Sequence, residues 1–220
     1  MTRIEFLILF LYVLIVWYVY QSVMQEIAQL TEIKVSNAQI EAQLADLGLA
    51  DVLSIKFEFT KAPLKEEMKT FGVVVENKKV GEGDRLLYVN WQFCTLRTFG
   101  GDIFRLFRLP QGENLNMLQS QAMSIINPGE TLKEKITLES CITFSQETGF
   151  VVAKPVFAIS DMKKARDNKS QFVINLFFQQ PERPEIKEPI KYYSVACACS
   201  VEQLPWQTAI YWRPKKKKKK

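Results

Sequence analysis

The 220-residue chain contains no histidine. The imidazole side chain is the commonest general base in enzymes and the commonest protein ligand for transition metals. Its absence excludes the Ser-His-Asp and Cys-His catalytic sets and any histidine-based metal centre. The sequence also lacks a P-loop, a complete G-x-G-x-x-G motif and a G-x-S-x-G motif. We therefore predict a protein that is not an enzyme and that has no cofactor.

Residues 6–20 lack any charge, glycine or proline. With their flanks they give 21 largely apolar positions over 4–24, about 30 Å of helix, which matches the hydrocarbon core of a bilayer. No small-residue cleavage site follows, so a signal peptide is disfavoured, and no polar face marks a buried core helix. We predict a transmembrane anchor over 1–24. Its lipid-facing and interfacial side chains are Phe6, Leu7, Leu9, Phe10, Leu14, Trp17, Tyr18 and Tyr20.

Basic residues are scarce on both sides of this anchor. Arg3 precedes it, and Lys34 is the one basic residue in the flank that follows, beside Glu26 and Glu32. By the positive-inside rule this balance favours a cytoplasmic N-terminus. We predict that the C-terminal domain is extracytoplasmic, in a periplasm, a lumen or the extracellular space, and that membrane lipid is one partner of the chain.

Residues 21–48 are rich in good helix formers and carry apolar side chains at three- and four-residue steps. Gly48 is a natural helix stop. We predict an amphipathic helix continuous with the anchor, forming a helical stalk over 25–50. Two arrangements remain open: a coiled-coil stalk through which a homo-oligomer forms, and a helix that lies against the folded domain.

From residue 51 the apolar period switches from that of a helix to two, the period of half-buried strands. Turn signals recur, among them Gly100-Gly101 and Asn127-Pro128-Gly129, whereas the helices that a parallel sheet needs are missing. We predict a mainly β fold, an antiparallel immunoglobulin-like β-sandwich over 51–213. Strands are expected at 53–59, 73–75, 87–93, 103–109, 132–144, 150–159, 172–178, 190–200 and 206–212, with a polar excursion of about one helical turn at 161–171 and a proline-rich loop at 181–190.

The four cysteines are Cys94, Cys141, Cys197 and Cys199. Cys197 and Cys199 share one strand face and are poorly placed to bond each other. Cys94 and Cys141 are predicted on the more polar faces of their strands. An exported domain could join them in a disulfide, and free buried thiols are the alternative.

Two thiolates on one strand face suit Cu(I), which prefers soft sulfur ligands. The segment Cys197-x-Cys199-x-x-Glu202-Gln203 resembles the CFCFEEQ segment of the copper chaperone family for cytochrome c oxidase assembly, over about seven residues. That family also has an N-terminal span followed by an immunoglobulin-like domain, but its upstream cysteine motif is missing here. The resemblance implies Cu(I) delivery, with Cys197 and Cys199 as metal ligands. The alternative is that these thiols pack as small apolar side chains in a core.

The basic excess of the chain lies in one segment. Six of the 29 basic residues are consecutive lysines, and the remaining 23 face 24 acidic residues, so the rest of the chain has a net charge of −1. The segment, in the predicted tail over 214–220, comprises Lys215, Lys216, Lys217, Lys218, Lys219 and Lys220. It is read as a solvated tail, a cloning addition or an electrostatic contact with an anionic surface. Basic residues elsewhere do not interleave with aromatics, so we predict no nucleic-acid partner.

Together these features predict a single-pass, membrane-anchored protein with a folded β domain. We expect it to act as a non-catalytic interaction or assembly module of a membrane complex, with a protein partner. The alternative function is a Cu(I)-binding metal-delivery factor that uses the Cys197-x-Cys199 pair.

Overall fold

The computed structural model describes residues 3–28, 31–59, 67–78, 85–109, 121–146, 149–182 and 189–203. Within these ranges the helices are α1 (Arg3–Ala28), α2 (Asn37–Asp46) and α3 (Ile159–Asp167). The strands are β1 (Thr31–Val35), β2 (Leu53–Glu58), β3 (Phe71–Asn77), β4 (Leu87–Val89), β5 (Thr95–Arg97), β6 (Ile103–Leu109), β7 (Ser124–Ile126), β8 (Thr131–Leu138), β9 (Ile142–Ser145), β10 (Gly149–Val152), β11 (Gln171–Gln180) and β12 (Lys191–Gln203). The predicted strand at 206–212, most of the proline-rich loop and Lys215–Lys220 lie outside the described residues.

Helix α1 is apolar on all sides over most of its length, and its side chains from Arg3 to Gln25 are exposed. Its segment Arg3–Gln25 has a mean hydropathy of 2.1, and none of the apolar window is buried. By length and composition this helix can cross a membrane. The predicted anchor side chains from Phe6 to Tyr20 are all exposed along it.

The prediction of one continuous helix through 21–48 is wrong at the centre of this range. Residues Thr31–Val35 form strand β1, which pairs antiparallel with the end of β12, Thr31 opposite Gln203 and Val35 opposite Cys199. The segment alternates β-branched and charged side chains, which suits the half-buried edge of a sheet better than a helix. Helix α2 follows and buries Ile40 and Leu44 in the domain core. The alternative of a helix packed against the domain therefore describes α2, and in the described residues the stalk predicted for a homo-oligomer is interrupted by β1.

Ten strands form one antiparallel sheet in the order β1-β12-β11-β5-β6-β8-β3-β2, with β4 pairing β11 and β7. This sheet is nearly closed and barrel-like, so the predicted immunoglobulin-like sandwich is not confirmed. Alternating apolar residues mark the inner face of each strand, but they do not tell one curved sheet from two stacked ones. Helix α2 packs on β12 and lines a cavity together with residues of β2.

Two predicted strands are shorter than expected because a 3₁₀ turn interrupts each. The strand predicted over 87–93 ends at Val89 and is followed by the turn Trp91–Phe93. The strand predicted over 132–144 is divided by the turn Glu139–Cys141 into β8 and β9. Strand β9 then pairs with β10 in a separate two-stranded hairpin.

These turns also correct the predicted environment of two cysteines. Cys94 follows the first turn and Cys141 closes the second, and both side chains are buried rather than on a polar face. A 3₁₀ turn shifts the chain out of the strand alternation, so the period-two pattern assigns the wrong face. All four cysteines are free and buried, which agrees with the free-thiol alternative.

The two ends of the sheet differ in what they carry. We call the end at Thr31 and Gln203 the anchor end, because α1 finishes at Ala28, directly before β1. Strand β11 begins there, with Gln171 opposite Ser200. The other end, where Gln180 lies opposite Lys191, is called the far end. The polar excursion near 161–171 is the nine-residue helix α3, longer than predicted, which contacts β1 and β12.

Candidate functional site

Strand β11 carries an aromatic side chain on each face. Its inward residues Phe172, Ile174, Leu176 and Phe178 are fully buried in the core. Strand alternation places Phe177 on the outward face, where it is only half-buried. A side chain on the outward face does not pack in the core, so Phe177 can contact only its neighbours on the outer surface.

Two further rings complete what we call the aromatic patch, which consists of Phe93, Phe177 and Tyr192. The ring centroid of Phe177 lies 5.3 Å from that of Phe93 and 6.0 Å from that of Tyr192. Phe93 is 59% exposed and Tyr192 is 60% exposed. Phe93 stands outside because the 3₁₀ turn after β4 breaks the strand pattern, and the side chain of Asn90 caps that turn by accepting from the backbone N–H of Gln92.

The patch extends across four strands. Gln179 of β11 lies opposite Tyr192 of β12 on one side and opposite Tyr88 of β4 on the other. Tyr88 in turn lies opposite Ile125 of β7, which is exposed. Directly opposed residues are close enough to touch, so this outward row forms one mixed aromatic and aliphatic surface towards the far end of the sheet.

Within the described ranges, one edge of strand β12 lacks a partner strand beside this surface. The backbone N–H of Ser36 donates to the carbonyl of Ala198, and the side-chain amide of Gln43 bonds both backbone groups of Ala196. By strand alternation the backbone groups of Ser194 and Tyr192 point to the same side. Among the residues that the structure describes, no strand pairs with that part of β12 on this side. An open strand edge of this kind accepts an added strand.

A cleft of about 730 Å³ lies at the anchor end between the β5–β6 turn, the hairpin base and α3. Its lining includes Asp102, Asp161, Lys154, Lys164 and the thiol of Cys141. The Cys141 thiol donates to the carbonyl of Pro155 at 3.2 Å, and burial raises the pKa of this thiol. A protonated, hydrogen-bonded thiol is a poor nucleophile, so Cys141 is not activated for covalent chemistry.

The predicted metal ligands Cys197 and Cys199 lie inside the core, on the face of β12 that also carries Val195 and Val201. Burial raises the pKa of Cys197 to about 12 and that of Cys199 further still, with the neighbouring Cys197 thiolate adding to the second shift. Metal binding requires the thiolate form, which this apolar environment disfavours. Across the described ranges there is no group of three or more His, Cys, Asp or Glu side chains placed to hold a metal ion. The copper site therefore stays a prediction, and its residues have the environment of packed core side chains.

Sequence reasoning missed the aromatic patch. A signal was present in Leu176-Phe177-Phe178, because consecutive apolar residues in a strand must put at least one on the outer face. Phe93 carried no comparable signal, since its exposure depends on the 3₁₀ turn.

Searches of the chain against protein-family models, curated proteins and solved structures found no match. Its own geometry and chemistry therefore supply the functional argument.

Proposed function

We propose that this protein is a single-pass, membrane-anchored, non-catalytic interaction module that holds a protein partner near the membrane. The observation that supports this function is the exposed aromatic patch beside the open edge of β12. Both lie towards the far end of the sheet, away from the point where α1 leaves the domain.

The apolar surface of α1 supports the proposed anchor. A helix that is apolar on every side needs lipid or other protein around it, because water penalises so much exposed hydrocarbon. Its span matches a bilayer, and Trp17 and Tyr20 lie at one end, where aromatic side chains favour the interface. In this proposal the N-terminus is cytoplasmic and the β domain is extracytoplasmic.

The aromatic patch has the composition of a protein-binding site. Tyrosine and phenylalanine bring large apolar contact areas with few rotatable bonds, and such residues are enriched at the centres of interfaces. Clustered exposed apolar residues on a folded domain mark interaction sites more often than scattered ones do. The ring of Phe177 already contacts those of Phe93 and Tyr192, so little side-chain order has to be created on binding.

The partner that fits this surface is an extended segment of another protein. Such a segment would pair with the backbone of Tyr192 and Ser194 as an additional strand, which supplies affinity through main-chain hydrogen bonds. Apolar side chains of the added strand would lie against Tyr192 and Phe177 and so provide specificity. Lipid is a poor occupant here, because an open strand edge needs hydrogen-bonding partners that acyl chains do not offer.

The experiment is site-specific photocrosslinking of the full chain in its native membranes. A photoreactive amino acid replaces Ser194, which is exposed beside the patch, and in a second sample Lys56, which is exposed on β2. We expect a discrete protein adduct from position 194 and none from position 56. The adduct should be lost with Phe93→Ser and retained with Ile103→Ser, a matched change at another exposed apolar residue, 58% exposed.

Two results would reject this function. One is the absence of any protein adduct at position 194. The other is an adduct at position 194 that survives Phe93→Ser as well as it survives Ile103→Ser, because capture would then be independent of the patch.

A further inference from the structure

The anchor end of the domain carries a second aromatic pair on the β9–β10 hairpin, in which Phe144 is exposed and Phe150 is half-buried. Phe144 and Phe150 are opposed in the register of the hairpin, with ring centroids 5.2 Å apart in an edge-to-face arrangement. Phe144 is 67% exposed. The hairpin does not join the main sheet, and its base is held where the backbone N–H groups of Ala153 and Lys154 both donate to the carbonyl of Cys141.

Strand registers place this hairpin at the anchor end. Ile103, at the start of β6, lies opposite Arg97 of β5. Arg97 in turn lies opposite Val173, near the start of β11. Strand β8 runs antiparallel to β6 and ends at Leu138 opposite Leu106, so the chain leaves β8 towards the anchor end. The hairpin therefore follows on the same end of the sheet at which α1 enters.

The distance between anchor and domain is short. Two residues separate the end of α1 at Ala28 from Thr31, the first residue of β1. The three residue steps from Ala28 to Thr31 span at most about 11 Å, so a membrane-spanning α1 holds the anchor end close to the bilayer surface. The hairpin, which lies at the same end of the sheet, is then also close to the bilayer surface.

Positive charge collects around the hairpin base and α3. Lys154, Lys163, Lys164, Arg166 and Lys169 carry five positive charges in this region, against three carboxylates, those of Asp161 and Asp167 on α3 and Asp102 in the cleft lining. Glu139, in the turn before the hairpin, is paired with Arg105 at 3.8 Å. Arg166 forms an ion pair with Asp167 at 3.0 Å.

The rest of the anchor end is mixed in charge. Glu32 and Glu202 lie on the paired strands β1 and β12, where Lys34 binds Glu202. The chain also leaves β12 at this end, at Gln203, and its sequence continues to the six lysines of 215–220. Basic residues near an anionic membrane surface are attracted to it.

We propose that the β9–β10 hairpin inserts Phe144 and Phe150 into the interface of the leaflet from which α1 emerges, while the basic residues around α3 contact anionic lipid headgroups. The proposal rests on α1 spanning the membrane, as in the proposed function. Segments that lie in the membrane interface bury Phe side chains at the boundary of headgroups and acyl chains. A two-stranded hairpin that exposes Phe144 gains there the burial that the domain does not give it. This second contact fixes the orientation of the domain and directs the aromatic patch away from the bilayer.

The test uses an environment-sensitive fluorophore on the full chain reconstituted into vesicles of phosphatidylcholine, with and without phosphatidylserine. The fluorophore is attached to Phe144→Cys, and for the control to Thr131→Cys, an exposed residue at the far end of β8. The four native thiols are buried, and the chain without an added cysteine measures their background labelling. Spin-labelled lipids serve as the quencher.

We expect several-fold stronger quenching at position 144 than at position 131, with a further increase when phosphatidylserine is present. Lys154→Glu with Lys164→Glu should remove the phosphatidylserine-dependent part. Equal quenching at both positions would overturn the inserted hairpin while leaving the anchor in place. An unchanged signal on adding phosphatidylserine would overturn the headgroup contact. A chain that fails to float with the vesicles would overturn the anchor and this proposal together.

Discussion

The side-chain amide of Gln43 makes both backbone hydrogen bonds of Ala196, a residue 153 positions later in the chain. Its Nε2 donates to the Ala196 carbonyl at 2.8 Å, and its Oε1 accepts from the Ala196 N–H at 2.9 Å. A single side chain on α2 thus acts in place of a paired strand, at the point where β1 no longer covers β12. The open edge of β12 lies beyond this contact.

Replacing Gln43 should weaken the attachment of α2 to the sheet. In Gln43→Ala a partly buried donor and acceptor on Ala196 lose their partners, so we expect a loss of about 1–2 kcal/mol in the free energy of unfolding. Chemical denaturation of the detergent-solubilised chain measures this loss. Gln39→Ala, at an exposed position of the same helix, should stay near the native value. An equal loss in both variants would show that the Ala196 contact is not the cause.

Because the thiols are buried, we expect the free energy of unfolding to fall at alkaline pH. The pKa of Cys197 is about 12 in the folded chain, whereas its ordinary value is 9.0. Between these values the unfolded chain loses a proton that the folded chain retains, so stability is full below about pH 9 and falls as the pH rises towards 12.

Between these pKa values, ionisation of Cys197 should lower the free energy of unfolding by about 1.4 kcal/mol per pH unit. Cys197→Ala removes this titration, and its stability should therefore decline less steeply over that range than that of the native chain. Denaturation curves at a series of pH values measure the two slopes. Parallel slopes would mean that the Cys197 thiol ionises in the folded state as it does in water.

The environment of Cys197 and Cys199 also predicts the outcome of a Cu(I) titration. Two fully buried, protonated thiols should give the native chain no stronger Cu(I) affinity than the Cys197→Ala, Cys199→Ala double variant. A chelator-competition titration of both chains compares the affinities. Clearly tighter binding by the native chain would favour the metal-delivery function that the CFCFEEQ resemblance implies.

The sequence predicts the strands better than the way they assemble. The alternation of Leu53 and Ile55 with Ser54 and Lys56 is enough to identify β2, because a period of two is the direct consequence of a strand with one buried face. Whether such strands curve into one sheet depends on registers between distant segments, such as Thr31 with Gln203. No local pattern encodes that pairing, so the barrel-like closure could not be predicted.

The interruption of the stalk at β1 has a similar cause. The segment Glu32-Ile33-Lys34-Val35 fits a helical repeat within the run 21–48, but it also alternates as a strand does. Pairing with β12 decides between the two, and β12 lies more than 150 residues away. The aromatic patch could not be predicted for the same reason. Phe93 and Tyr192 each contact Phe177, and Phe93 is distant from Phe177 in the sequence.

Carbonate extraction of membranes that contain the full chain tests the anchor on which both proposals depend. We expect the chain to remain in the membrane pellet with its N-terminal segment intact, because α1 is long enough and apolar enough to stay in lipid. A chain released into the soluble fraction, or a mature chain that begins after Met24, would contradict the account.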